Sequence, residues 1–359
     1  MALLPLTALV QQVASRFPEA VESAYSRGVY RAIARSMAWL TGWFPFSLAE
    51  VLVVSLAAWI AWVGTRSAGQ LLRKRRSVRN LLLHGAVFGL AVAGCLYGLG
   101  ISLWALNHQR LPLAQSAGLD VSPGSVEELT ALTRQLVAQA NTLREQVDED
   151  GDGVMRLRRG PAEALRRAGL GFDRLGREYA FLDGRFVGRP KGVLLSWVMS
   201  WIGPSGIYSP YTGEPNVNMH LPQSEFPSTV CHEMAHQLGL AREDEANFIG
   251  YLAARAHPDV DFQYAGTLEA LSYSLRALAR SDRESFLVAL DSCSAGVQRD
   301  WAAERAHNER YRTDWSKISR RINDAYLKSQ GQTEGVRSYG RMVDLLLADQ
   351  RRRLDGRMR

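Results

Sequence analysis

What this 359-residue chain has little of narrows its reading before any motif is considered. It contains only three cysteines, Cys95, Cys231 and Cys293, and no CxxC pair, so neither a thiolate zinc knuckle nor a disulfide framework is written in it. Cys95 lies inside an apolar run and reads as packing, while Cys231 and Cys293 read as two buried free thiols. Histidine is scarce, at seven residues, which makes two of them at ligand spacing informative. The net charge of +7 is not gathered on one aromatic-studded face. The cations fall in a short loop and a C-terminal tail, which argues against nucleic acid as a partner. The opening stretch MALLPLTALVQQVA lacks the small-residue cleavage pattern of a removed signal and is too short for a confident span.

The apolar residues, 47% of the chain, are concentrated before residue 107. Phe46 to Gly64 has Glu50 as its only ionisable group, and Leu81 to Leu106 is apolar except for His84, with Gly89, Gly94, Gly98 and Gly100 suited to close helix packing in lipid. Between them stand Arg66, Arg73, Lys74, Arg75, Arg76 and Arg79 with no acid, so the positive-inside bias puts that loop in the cytoplasm. The expected plan is therefore an anchoring segment at 1–45, a membrane helix at 46–64, a basic cytoplasmic loop at 65–80, a second membrane helix at 81–106, and an extracytoplasmic domain at 107–359. In the first segment, Arg27, Arg31 and Arg35 mix with Tyr25, Tyr30, Trp39 and Trp43, as in a helix lying at headgroup level.

The domain is expected to be mainly α with a small β element. Ser125 to Val147 has helical periodicity and a Ser125/Glu128 capping box. The acidic run Asp148 to Gly153 opens like a calcium loop but meets Arg159 where the closing glutamate belongs, so it reads as a solvated acidic turn. Short runs in Gly192 to Met219 (VLLSWVM, GIY, NVNM) read as strands of a small sheet, and helical periodicity dominates after His236.

The chemistry lies in FPSTVCHEMAHQLG. His232 and His236 are four apart and project from one face of a helix, so both imidazoles can reach one zinc ion, with Glu233 beside them as a carboxylate able to take a proton. Gly239 can turn the chain back, and a new helix rises from Glu243. Glu243 shares its face with Asn247 and with the small Ala246 and Gly250, which permit close approach to the first helix. Glu245 points roughly 200° away, with Ile249 and Leu252, and reads as a solvated acid rather than a ligand. Tyr208, Tyr211, His257 and Tyr339 are candidate donors to a transition-state oxyanion, and IYSPYTGEPNVN could supply an edge strand for an extended peptide.

The HExxH followed by ExxAN resembles the gluzincins. That resemblance implies a zincin-like metallopeptidase domain with Zn2+ held by His232, His236 and Glu243, Glu233 as catalytic base, and Asn247 supporting a ligand histidine. Only six residues separate His236 from Glu243, a spacing nearer to the one-turn return of metzincins. Over most of its length the chain is also similar to a bacterial family of membrane-anchored proteins catalogued as a domain of unknown function. The segments that carry this are PEAVESAYSRGVY, PFSLAEVL, IYSPYTGEPNVN, CHEMAHQLGLAREDEANFIGYLA and NDAYLKSQGQTEGVRSYGRMVDLLLA. The expected function is a multi-pass cell-membrane zinc peptidase, its partners the lipid bilayer and a peptide or protein substrate. The alternative is a non-catalytic zinc-containing module that binds or senses peptide, for which an intact Glu233 would be unnecessary. Nothing in the sequence sets the substrate or the oligomeric state.

Overall fold

The computed structural model describes residues 3–73, 77–179, 182, 188–330, 332 and 341–356. The chain opens with α1 (Leu3–Ala14) and the single turn α2 (Pro18–Ala20), which passes through a π-helical stretch, Val21–Val29, into α3 (Tyr30–Gly42). Ser47 caps α4 (Leu48–Leu72) and Ser77 caps α5 (Val78–Leu103), each accepting the backbone N–H three residues on. With 25 and 26 residues these helices are roughly 38 Å long, more than a hydrocarbon core requires. Their most apolar windows are 0% and 17% buried by protein, an exposure that fits membrane anchoring and not the packed helices of a soluble core.

The helices differ from the expected spans at their ends. Nothing in RSAGQLL breaks a helix, so α4 continues through Arg66 to Leu72, and Arg73 to Ser77 remains as the connection. Of the basic loop, Lys74, Arg75 and Arg76 lie outside the described residues. Helix α5 stops at Leu103 because Trp104 leaves helical geometry, and a 3-10 turn, Ala105–Gln109, enters the domain. Cys95 is exposed on α5, not packed against protein as its apolar context suggested. Helix α1 is only 12 residues long and lies along α5, with the Tyr97 phenol donating to Gln11 at 3.3 Å.

In the domain, α6 (Leu113–Ser116) precedes α7 (Val126–Arg144), which begins with the expected capping box. The acidic run forms the antiparallel hairpin β1 (Asp148–Glu149) and β2 (Met155–Arg156). Asp150 accepts the N–H groups of Asp152 and Val154, and Arg144 donates to Glu149 and to the Gly153 carbonyl. The hairpin's acids are thus engaged by its own backbone and by a guanidinium. Arg144 also meets buried Asp300 at 2.6 Å, tying this hairpin to the core.

Helices α8 (Gly160–Arg167) and α9 (Gly169–Glu178) lead to β3 (Lys191–Val193), α10 (Ser196–Ile202), β4 (Gly206–Ser209) and β5 (Glu214–Asn218). VLLSWVM is therefore not a strand: Leu194 and Leu195 turn after Val193, and from Ser196 the chain is helical until Gly203 at φ +108° ends it. Its apolar residues recur at Leu194, Trp197 and Trp201, a helical period, and alternation is absent. The sheet runs β3-β5-β4, with β3 parallel and β4 antiparallel to β5, so β4 forms an edge. The remaining helices are α11 (Phe226–Gln237), α12 (Glu243–Ala256), α13 (Val260–Ser281), α14 (Arg283–Asp291), α15 (Ala295–Arg310), α16 (Asp314–Ser329) and α17 (Met342–Leu354). Helices α7, α9, α11, α12, α13 and α17 contribute most of one hydrophobic core, and the sheet lies on α11.

The segment before α4 is not a free interfacial helix. Tyr30, Ala34, Ala38 and Thr41 form a buried face against the domain, while Trp39 and Trp43 stay exposed. The Tyr30 phenol donates to the Gln237 carbonyl at the end of α11, and Arg110 joins Glu22 to the Gly239 carbonyl. Glu214 of β5 accepts the first N–H groups of α4 at Leu48 and Ala49, and Glu50 of α4 accepts from Leu194 and Leu195. These reciprocal caps fasten the anchor to the sheet.

Candidate metal centre

Helix α11 is buried along nearly its whole length, which explains an apolar face interrupted only by polar groups with assigned positions. Pro227 occupies its first turn, where a missing N–H is harmless, and Gly239 at φ +84° reverses the chain after it. Four residues later α12 begins with Glu243 in its first turn, where the helix dipole favours a carboxylate. Gly250 sets the approach of the two helices. A Cβ there would stand 3.0 Å from the His232 backbone nitrogen and 3.2 Å from its Cα, so the small residue is needed for α12 to reach α11.

This crossing brings His232, His236 and Glu243 together, with one ligand atom from each within 4.8 Å of the others. Glu243 Oε2 is 3.3 Å from His232 Nε2 and 3.5 Å from His236 Nε2. His236 Nδ1 lies 2.7 Å from the Leu240 carbonyl, an obligate acceptor, so in the neutral ring Nδ1 carries the proton and Nε2 presents a lone pair to Glu243. Two acceptors at this distance repel unless a cation or proton stands between them. Among the described residues, Glu243 Oε2 and His232 Nδ1 have no well-formed hydrogen bond despite burial.

The spacing fits a metal. Bonds of roughly 2.1 Å to a tetrahedral zinc place neighbouring ligand atoms about 3.4 Å apart, close to both separations from Glu243 Oε2. Proton equilibria carry the same signature. Burial alone would lower the His232 pKa, but proximity to Glu243 and the charges of Glu233, Glu243 and Glu269 reverse this and raise it to about 9. Burial likewise opposes the Glu243 carboxylate, yet the two imidazoles hold its pKa well below the usual range.

Glu233 is buried and faces β4. A Cβ on Gly206 would lie 2.5 Å from Glu233 Cγ and Oε1, so only glycine leaves room for this carboxyl against the edge strand. Burial raises its pKa, the two imidazoles lower it, and the Tyr208 N–H donates to it. Among the described residues, its Oε2 has no hydrogen-bond partner. A carboxyl with a raised pKa and one uncommitted oxygen beside two imidazoles is able to accept and return a proton.

Asn247 is buried beside the cluster, but its amide donates to Tyr273 Oη at 3.0 Å, not to a ligand imidazole. His236 is held instead by the Leu240 carbonyl, which accepts its Nδ1–H. Glu245 points away from the cluster as expected, yet it is not solvated: it is buried and accepts the Leu113 N–H at 2.7 Å. Burial raises its pKa to about 7. Of the proposed oxyanion donors, the Tyr208 phenol is paired with the Tyr30 phenol, oxygen to oxygen at 3.1 Å, and Tyr211 donates to the Leu96 carbonyl of α5. His257 is fully buried, accepting the Asp259 N–H and stacked on Phe262, where it caps α12 far from the cluster chemistry. Tyr339 lies outside the described residues.

Several neighbours had no motif to announce them. Trp104 stands edge-on to His236 with ring centroids 5.7 Å apart. Glu269 and Tyr273 of α13 interact electrostatically with the cluster, and burial raises Glu269 to about 7. An acid and a phenol four apart in LEALSYSL, where Glu269 is the only charged residue, were the available signal.

A family model described as Protein of unknown function (DUF3810) matches residues 25–347. The chain belongs to that family. The match runs from Tyr25 through both long apolar helices and the cluster of His232, His236 and Glu243, so the apolar helices and the domain fall in one family unit. No curated protein and no solved structure matches the chain.

Proposed function

We propose that this protein is a membrane-anchored, zinc-dependent peptidase whose domain lies on the extracytoplasmic side. The observation that carries this reading is Glu243 Oε2 set 3.3 Å and 3.5 Å from two imidazole Nε2 atoms, with the uncommitted Glu233 carboxyl oxygen in the same motif. His232, His236 and Glu243 would hold the zinc. When bound, zinc supplies Lewis acidity toward water and a peptide carbonyl.

This chain's own residues do the rest. Glu233, held against Gly206 by the Tyr208 N–H, takes the proton of the attacking water and returns it to the departing amine. The outer edge of β4 offers backbone groups to an extended peptide. The Leu240 carbonyl fixes the His236 tautomer and ring orientation. The side of the membrane follows from the basic connection between α4 and α5.

Glu233→Gln tests the reading. The nearly isosteric amide cannot accept the proton, so the variant should bind zinc with unchanged stoichiometry and lose cleavage of an unbiased peptide library. Cleavage at the wild-type rate would refute the role of Glu233. A wild-type protein that binds zinc and peptide without turnover would instead be a binding module.

A further inference from the structure

Away from the candidate site, the molecule exposes an apolar surface on two helices of the domain. Leu194, two residues before α10, is 77% exposed, and on α10 Trp197 is 55% and Trp201 53% exposed; on α16, Trp315 is 66% exposed, Ile318 43% and Ile322 65%. Soluble surfaces seldom group so many large apolar side chains. The three on α16 recur at helical spacing on one face, while Arg320 and Arg321 are exposed on the opposite side and Leu327 is buried against the domain. A helix with separate faces for protein, water and apolar surroundings is built for an interface.

Contacts with the long apolar helices fix where this surface sits. The N–H groups of Leu194 and Leu195 donate to Glu50 in the first turn of α4, so α10 starts level with that helix's beginning. Thr313 donates to the Trp201 carbonyl at 2.6 Å, and Gly203 lies against Ser316, which joins the start of α16 to the end of α10. At its other end, α16 places Tyr326 Oη 3.4 Å from His108, whose ring meets Trp104 at the end of α5. The α10–α16 unit therefore reaches from the outer end of one apolar helix to that of the other. Tyr211 goes further, meeting the Leu96 carbonyl seven residues inside the end of α5, roughly 10 Å along its axis.

We propose that the apolar face of α10 and α16 is embedded in the bilayer surface, in the leaflet bordering the domain. Its occupant is lipid, because the face is continuous with helices whose own exposed surface needs lipid and because Trp and Tyr at this level are the residues favoured at headgroups. Arg320 and Arg321 stand on the water side, where anionic headgroups are in reach. The inference rests on α4 and α5 crossing the membrane and is independent of the peptidase reading.

Site-directed spin labelling of the full chain in lipid nanodiscs tests it. In a Cys95→Ala background, with buried Cys231 and Cys293 left unlabelled, nitroxides are placed by Trp197→Cys, Trp315→Cys and Ile322→Cys, and by Val288→Cys on α14 as a water-exposed control. Collision with oxygen, which partitions into lipid, is compared with collision with a water-soluble nickel chelate. Labels on both α10 and α16 should favour oxygen, and the control should favour nickel. Preference for nickel on either helix would overturn the proposal. Protection from both reagents would also overturn it, showing a second copy or a protein partner on the face. Reading three positions separately keeps one misfolded variant from deciding the result.

Discussion

Replacing Glu243 by alanine removes the carboxylate oxygen that stands 3.3 Å and 3.5 Å from the two imidazole Nε2 atoms. Partners outside the ligand shell of a metal site change affinity by roughly 10–100-fold, so losing a ligand should weaken zinc binding by at least about 100-fold, or about 2.7 kcal/mol. At a zinc concentration about 1,000 times the wild-type Kd, binding stabilises the folded protein by about 4.1 kcal/mol. The same concentration is only about ten times the Kd of the variant and leaves about 1.4 kcal/mol. At about 2–4 °C per kcal/mol for a domain of this size, zinc should raise Tm by roughly 8–16 °C in the wild type and by no more than roughly 3–6 °C in Glu243→Ala. Glu245→Ala is the control with the opposite pattern. It strands the Leu113 N–H, which costs about 1–3 kcal/mol in the metal-free protein, but it should keep the full zinc-dependent shift. The assay is thermal unfolding of chelator-stripped protein with and without zinc, alongside metal analysis. A full zinc shift in Glu243→Ala, or its loss in Glu245→Ala instead, would refute the ligand assignment.

Three further outcomes follow from packing and charge. Gly206→Ala places a Cβ 2.5 Å from Glu233 Cγ and should displace the carboxyl, lowering hydrolysis about 100-fold at unchanged zinc stoichiometry; kinetics and metal analysis on one preparation check both. Gly250→Ala forces α12 away from the α11 backbone, which should cost about 1–3 kcal/mol in denaturant unfolding and weaken zinc binding together; a change in neither would show that the crossing can relax freely. Burial, reinforced by the charge of Glu225, raises Glu304 to about 8. The folded state then keeps a proton that the unfolded chain releases above its ordinary value of 4.5, so this group's contribution is fully present below about pH 4.5 and is lost as pH rises toward about 8. Glu304→Gln should accordingly raise Tm at pH 8 and change it little at pH 4, and a lower Tm at pH 8 would mean that the Ser224 hydrogen bond outweighs the charge.

Local rules made the local features legible. Two long apolar runs marked the long helices, a capping box marked α7, and HExxH marked the helix that presents both imidazoles. The face shared by Glu243, Ala246 and Gly250 also told which of two nearby acids turns toward the histidines, because helical geometry permits only one. The strand reading of VLLSWVM failed where it ran together a three-residue strand and a helix too short to display its period clearly. The solvation of Glu245 was misjudged because its partner, the Leu113 N–H, is 132 residues away and no local pattern announces it.

The sequence by itself determined the secondary-structure periods, the long apolar helices and the residue types of the His232, His236 and Glu243 cluster, since each depends on side chains a turn or two apart. Only the tertiary structure decided what surrounds them. Gly206 against Glu233, Trp104 against His236, Tyr273 as the partner of Asn247, and the packing of α3 on the domain all join residues distant in the chain. Such contacts arise from how buried surfaces fit together, and spacing along the sequence does not encode them.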